Sequence, residues 1–234
     1  MHIKVPVYSK FGPKVDVNTE DGSAHCRGKD GRITWAYKGD IVTGKGIYIA
    51  GAVRSATKYI QKVLIELGYD IGHEKAGKDG SVGYHLAVIQ PENCLHQVRH
   101  PLKQISSIQA LLNWGFIDSI IDIQAKTLYG MMKVWYEWNK ICESFCVWRY
   151  RIEELPDVWD EFLDRIGHPY TPLPEVSTRT NSLRHTDLTW DDLYKCNEEL
   201  AQKIYEKHIE YGYSPERDRE EPILQDSGQR KLSA

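Results

Sequence analysis

The sequence predicts an α/β protein of three layers, a central parallel sheet flanked by helices, with a small N-terminal β appendage. Three observations predict it. From Gly46 onward, short apolar runs alternate with stretches of helical period. The first of these runs, Ile47-Tyr48-Ile49-Ala50, has no polar alternation, as befits a parallel strand buried on both faces. Residues 1–43 instead hold short alternating pieces (Ile3, Val5, Val7; Val15, Val17; Ile33, Trp35, Tyr37) broken by Glu20-Asp21-Gly22 and Lys29-Asp30-Gly31. That is the pattern of hairpins.

The elements follow in order. After Ile47–Ala50 comes a helix with Ile60, Val63, Leu64 and Leu67 at i, i+3, i+4, i+7, closed by Gly68 as a C-terminal cap. A second strand is expected around Tyr69–Gly72, and a third at Cys94–Val98 running into Arg99-His100-Pro101. Pro101 then opens a helix carrying Leu102, Ile105, Ile108 and Leu112. A long helix shows Leu128, Met131, Trp135, Trp138 and Cys142 on one face, and Ser144–Tyr150 reads as a strand. Leu155, Val158, Trp159, Phe162, Leu163 and Ile166 mark the next helix. Thr189-Trp190-Asp191-Asp192 has the form of a capping box opening a last helix that runs to about Tyr211. The division is thus an appendage over 1–43, an α/β domain over 44–213 and a polar tail over 214–234.

Composition narrows the function. The chain has 234 residues, 41% of them hydrophobic, enough for one ordinary core. A net charge of −3 gives no global basic field for nucleic acid or an anionic membrane surface. No apolar run is long enough to span a bilayer, and MHIKVPVYSKFGPK has no apolar core of a signal peptide, so a cytoplasmic protein is expected. The five cysteines (Cys26, Cys94, Cys142, Cys146, Cys196) lack metal-ligand spacing and are expected to be reduced thiols, and no metal is expected. The pattern does not fix an oligomeric state.

In a parallel sheet, ligands sit beyond the carboxyl ends of the strands. Two turns fall there. In GAVRSATK, Gly51 permits a sharp turn, and the N–H groups at the start of the next helix face outward toward an anion, with Arg54, Ser55, Thr57 and Lys58 adding charge and hydroxyls. The GK[ST] of a Walker loop is absent. In VRHPLKQISS, Arg99 ends a strand and Ser107 follows eight positions on. Each turn alone also reads as an ordinary strand-to-helix connection with solvated charges.

Together the two turns resemble those of the sulfotransferases that use 3′-phosphoadenosine 5′-phosphosulfate (PAPS), with Arg54-Ser55-Ala56-Thr57-Lys58 matching the phosphosulfate loop and Arg99 and Ser107 the 3′-phosphate pair. RIEEL (Arg151–Leu155), NSLRHTDLTWDDL (Asn181–Leu193) and YGY (Tyr211–Tyr213) are similar to later motifs of that family. The resemblance spans residues 46–213. It implies a P-loop-NTPase-like fold and sulfuryl transfer from PAPS, leaving 3′-phosphoadenosine 5′-phosphate (PAP), to a hydroxyl or amine of a small-molecule or carbohydrate acceptor. It also implies that Arg54 through Tyr59, together with Arg99, Ser107 and Arg184, hold the nucleotide, with Arg54 and Lys58 stabilising the leaving group. Three positions depart from the family: Ala56 replaces a glycine, Arg54 a common lysine, and Ile152 an aromatic that meets the adenine.

A hydroxyl acceptor needs a general base. The segment YDIGHEKAGKDGSVGYH offers Glu74 first, His73 second, and also His85. The Gly-rich stretch Gly72–Gly83 reads as a lid or acceptor loop, or as a merely flexible connection. His96 and His100, flanking Arg99, read as structural or as supports of that arginine, and the aromatics from Trp114 to Trp138 as core rather than an apolar acceptor wall. The competing functions are a P-loop kinase, or other nucleotide phosphotransferase, and a non-catalytic nucleotide-binding protein on the same fold.

Overall fold

The computed structural model describes residues 15–18, 23–27, 33–37, 46–110, 127–177 and 185–214. In the N-terminal part, β1 (Val15–Asn18), β2 (Ser23–Arg27) and β3 (Ile33–Tyr37) pair antiparallel in that order, with an irregularity in register between Cys26 and Arg27. The alternation at Val15/Val17 and Ile33/Trp35/Tyr37 therefore falls in strands. Ile3–Val7, both predicted turns and the boundary at residue 43 lie outside the described residues.

The main sheet has five strands, all parallel: β4 (Ile47–Ala50), β5 (Ile71–His73), β6 (Gly80–Gly83), β7 (Leu95–Val98) and β8 (Trp148–Arg151), in the order β5-β6-β4-β7-β8. The helices are α1 (Thr57–Glu66), α2 (Leu86–Ile89), α3 (Pro101–Ile108), α4 (Leu128–Glu143), α5 (Trp159–Ile166), α6 (Trp190–Cys196) and α7 (Glu198–Glu210). β4 shows why the layers form. Ile47 and Ile49 face a core built with Ile60, Val63, Leu64, Phe162 and Leu163 of α1 and α5. Tyr48 and Ala50 face the opposite core, with Ile105, Trp135, Trp138 and Ile204 of α3, α4 and α7. The predicted class, a parallel sheet between two helical layers, is the observed one. Trp135 and Trp138 are wholly buried, the role expected of the aromatics at helical spacing, while Trp114 lies outside the described residues.

Four readings of the sequence are corrected. The largest concerns Gly72–Gly83, read as an open loop; its first two residues end β5 and its last four are β6, a buried interior strand between β5 and β4. GSVG lacks the apolar run of a buried strand because the backbones there approach too closely for side chains. A Cβ on Gly80 (φ 143°) would collide with the Ile47 carbonyl. The return from β5 to β6 uses residues 74–79 alone, with no crossover helix to announce it. Glycines at 72 and 77 let that return lie directly on β5, where a Cβ would strike the Lys75 and Asp70 carbonyls respectively. Second, β5 starts at Ile71 rather than Tyr69, because Tyr69 and Gly68 close α1 by bonding back to Leu64 and Ile65. Third, the strand expected over Ser144–Tyr150 begins only at Trp148, since Ser144, Phe145 and Cys146 turn back onto Ile141 and Cys142 at the end of α4.

Fourth, the last helix is two. The capping box at Thr189 and Asp192 is present, but α6 stops at Cys196. Asn197 (φ −162°, ψ 106°) leaves the helical region, and its side chain caps α7 by accepting from Leu200 N–H at 2.8 Å. Among the described residues no helix is long and apolar enough to cross a membrane, and no group of three or more His, Cys, Asp or Glu is placed to hold a metal. Cys94, Cys142, Cys146 and Cys196 are free thiols.

Candidate anion-binding site

β6 and β7 lie on opposite sides of β4, so the chain diverges at the carboxyl end of β4 and leaves a crevice there. The loop from Gly51 to Ala56 fills its floor. Gly51 is required by close approach: a Cβ would lie 2.8 Å from the Gln97 carbonyl oxygen and against Ser55 Oγ. Ser55 is fully buried, and its hydroxyl has no hydrogen-bond partner among the described residues. Arg54 and Ala56 both sit at φ 66°, a left-handed backbone that residues with a Cβ seldom adopt. The departure of Ala56 from the family glycine thus falls where glycine would be easiest.

Helix α1 begins without a side-chain cap. The N–H groups of Ala56, Thr57 and Lys58 have no acceptor among the described residues, leaving the positive end of the helix dipole open to an anion. The carbonyls of the loop face elsewhere. Gln104 Nε2 donates to the Val53 carbonyl at 2.8 Å, Arg99 Nη1 to the Arg54 carbonyl at 2.9 Å, and Gln97 Nε2 to the Ser55 carbonyl. Tyr59 does not add a free donor: its N–H bonds the Ala56 carbonyl and its ring packs against the α1–α5 core.

The second predicted group assembles beside the first. Arg54 Nε donates to Ser107 Oγ at 2.9 Å, so Arg54 turns toward α3 and joins Arg99 and Ser107. Burial, and then the charge of Arg99, lower the Arg54 pKa; burial lowers that of Arg99 while Glu153 opposes. Two guanidinium groups held this closely favour an anion between them. Glu153 steadies the arrangement, accepting from His100 N–H at 2.9 Å and from Tyr213 O–H at 2.9 Å. The guanidinium of Arg151 covers the Tyr213 ring at 5.1 Å and bonds Glu154 and the Gly212 carbonyl. RIEEL and YGY therefore meet next to Arg99.

The late segment reaches the same place. Leu188 N–H donates to Ser106 Oγ at 2.9 Å, and Gln109 Nε2 to the Thr186 carbonyl at 2.8 Å. Arg184 lies outside the described residues. Ile152 sits in a 3-10 turn after β8 and packs against the α1–α5 core.

The candidate bases differ sharply in environment. His73 ends β5 with Nε2 at 3.1 Å from Thr57 Oγ1, and burial followed by the Lys58 charge lowers it to about 4. Glu74 stands next to it at φ 57°, with the Tyr84 hydroxyl on its carboxylate. Burial raises the Glu74 pKa against the pull of Tyr84 and of Lys58. His85 is enclosed beneath β6, with Nε2 2.9 Å from Ser81 Oγ, and burial holds it near 3. His96 and His100 lie in the interior as expected, His96 Nε2 bonding Asn139 Oδ1 at 3.0 Å. Gln97, Gln104 and Tyr84 had no sequence signal, and Glu153 was marked only as part of RIEEL. Each acts through a partner that lies elsewhere in the chain.

No family model matches the chain, and no curated protein matches its sequence. Among solved structures, mouse sulfotransferase SULT7A1 complexed with PAP is similar over 76% of this chain and 82% of that chain, at 10% sequence identity and a TM-score of 0.36. A likeness at that level carries no functional weight.

Proposed function

We propose that the chain is a sulfotransferase that takes a sulfuryl group from PAPS to a hydroxyl or amine acceptor by in-line displacement. The observation that supports this reading is the pairing of two anion seats in one crevice. The uncapped start of α1 is one and the Arg54–Arg99–Ser107 group the other, joined through the Arg54 carbonyl. A ligand bearing two separated anionic groups suits such a pair. The residues fit PAPS: buried Ser55 Oγ has no hydrogen-bond partner among the described residues at one seat, and two neighbouring guanidiniums gather positive charge at the other.

Bound there, PAPS would supply the activated sulfuryl group. The Ala56, Thr57 and Lys58 N–H groups with the Lys58 ammonium hold the phosphosulfate and offset the charge that grows on the leaving phosphate. Arg99, Arg54 and Ser107 hold the 3′-phosphate, so Arg54 serves that end more than the leaving group. Glu74 takes the acceptor proton. Its raised pKa makes it a stronger base than an ordinary carboxylate. His73 is the weaker candidate because its lowered pKa makes it a poor base and Thr57 occupies its Nε2. The acceptor is a small molecule or carbohydrate, and no step requires a metal.

Calorimetry tests the reading. PAP is expected to bind with a Kd on the order of micromolar, weakened at least ~30-fold in Arg99→Ala through loss of a charge-assisted contact. Equal or tighter binding of ATP with magnesium would favour a phosphotransferase. Binding of PAP without turnover of PAPS on any carbohydrate, phenol, lipid or peptide acceptor would favour a non-catalytic nucleotide-binding protein.

A further inference from the structure

We propose that Gln97 and Gln104 are positioning residues of the anion loop, each holding the peptide plane that precedes one of its two left-handed residues. The inference rests on the reading that this loop binds an anion.

A peptide unit is planar, so its carbonyl and N–H point in opposite directions. The plane between Val53 and Arg54 is set in part by φ of Arg54, and the plane between Ser55 and Ala56 by φ of Ala56. Both angles are 66°. Gln104 grips the Val53 carbonyl and Gln97 the Ser55 carbonyl, one amide for each left-handed residue. With the Ser55 carbonyl turned to Gln97, the Ala56 N–H of the same plane is turned the other way, where no described acceptor meets it. Two left-handed residues with side chains, spaced two apart, persist only if the surroundings over-determine them. The two amides do this from rigid elements, β7 and α3.

The orientation of each amide is unambiguous. A backbone carbonyl only accepts, so the nitrogen must face it. Gln97 Oε1 then accepts from the Tyr150 hydroxyl at 2.7 Å, which ties β8, β7 and the loop into one chain of hydrogen bonds. Gln104 is fully buried, and its Oε1 has no hydrogen-bond partner among the described residues. Methionine would fill that volume without an unpaired oxygen. The use of the amide at position 104 is therefore the Val53 carbonyl.

The test measures PAP binding by calorimetry, and inorganic phosphate binding by its shift of the melting temperature. The variants are Gln104→Met and the pair Gln97→Leu/Tyr150→Phe, which removes the tyrosine hydroxyl that would otherwise lose its acceptor. Each is made alone and with Ala56→Gly. We expect each to raise the Kd for PAP about tenfold, with a cooperative urea transition showing that each variant is folded under the binding conditions. With Ala56→Gly the loss from the Gln97 pair should shrink to about threefold or less, because glycine enters the left-handed region without a Cβ penalty. Gln104→Met should keep its loss there, since its peptide governs Arg54. Unchanged affinity in both variants, or an equal loss from the Gln97 pair in both backgrounds, overturns the inference. If the unsubstituted protein binds neither PAP nor phosphate, the anion-site reading falls, and the inference with it.

Discussion

At the residue scale, the proposed base gives the sharpest expectation. Glu74→Gln is expected to lower kcat by at least ~100-fold while leaving the Kd for PAP within about twofold, checked by single-turnover kinetics and calorimetry. A base works deprotonated, so activity falls as pH falls through its pKa. Burial raises that pKa, and the acidic limb of the kcat profile should therefore lie above the ordinary glutamate range. Gly51→Ala should lose PAP binding even where the protein remains folded, because its Cβ meets Ser55 Oγ and the Gln97 carbonyl. Arg54, Lys58, Arg99 and Ser107 were singled out in the sequence because two anion-friendly turns occur together in a resembling order, and the structure brings Arg54, Arg99 and Ser107 side by side. Gln97 and Gln104 were not: their partners lie 42 and 51 residues away. A glutamine within an apolar strand carries no mark of what it will hold. Arg54 illustrates a middle case, its presence at the site readable but its turn toward Ser107 a product of a backbone angle.

At the element scale, β6 is the instructive failure. Strand prediction relies on side chains that fit a half-buried pleated surface, and β6 offers few of them, since both its ends are glycines and Gly80 lies against the Ile47 backbone. Gly80→Ala is expected to destabilise the fold by at least ~2 kcal/mol, read from urea unfolding, since it combines a backbone collision with an unfavourable φ. The capping box at Thr189 was legible because its chemistry is local. The break at Asn197 is local too, yet apolar spacing continues across it and conceals it. Asn197→Ala should cost about 1 kcal/mol through loss of the cap on Leu200, measured in the same way.

At the scale of the whole molecule, the buried imidazoles set the response to acid. Burial is the leading cause in each case, and His96, His85 and His73 stand near 3, 3 and 4 in the folded protein, below the unfolded value of about 6.5. The unfolded chain therefore binds protons that the native one refuses. Their contribution to stability is complete above about pH 6.5 and is lost progressively as pH falls toward about 3. Urea midpoints should be flat from pH 7 to 8 and fall steeply from pH 6 to 4, and His96→Gln should flatten that slope. The two-layered core and the position of the crevice were readable from alternation alone, because both follow from which faces must be buried. The meeting of RIEEL with YGY was not, being a contact between segments some 60 residues apart. That contact has a consequence for the order of events during synthesis. Every strand of the main sheet has left the ribosome before Tyr213, which reaches Glu153 beside Arg99. The sheet can form before Tyr213 is made, while the surroundings of Arg99 are completed only after it, so a nascent chain ending short of Tyr213 carries the sheet with an unfinished site.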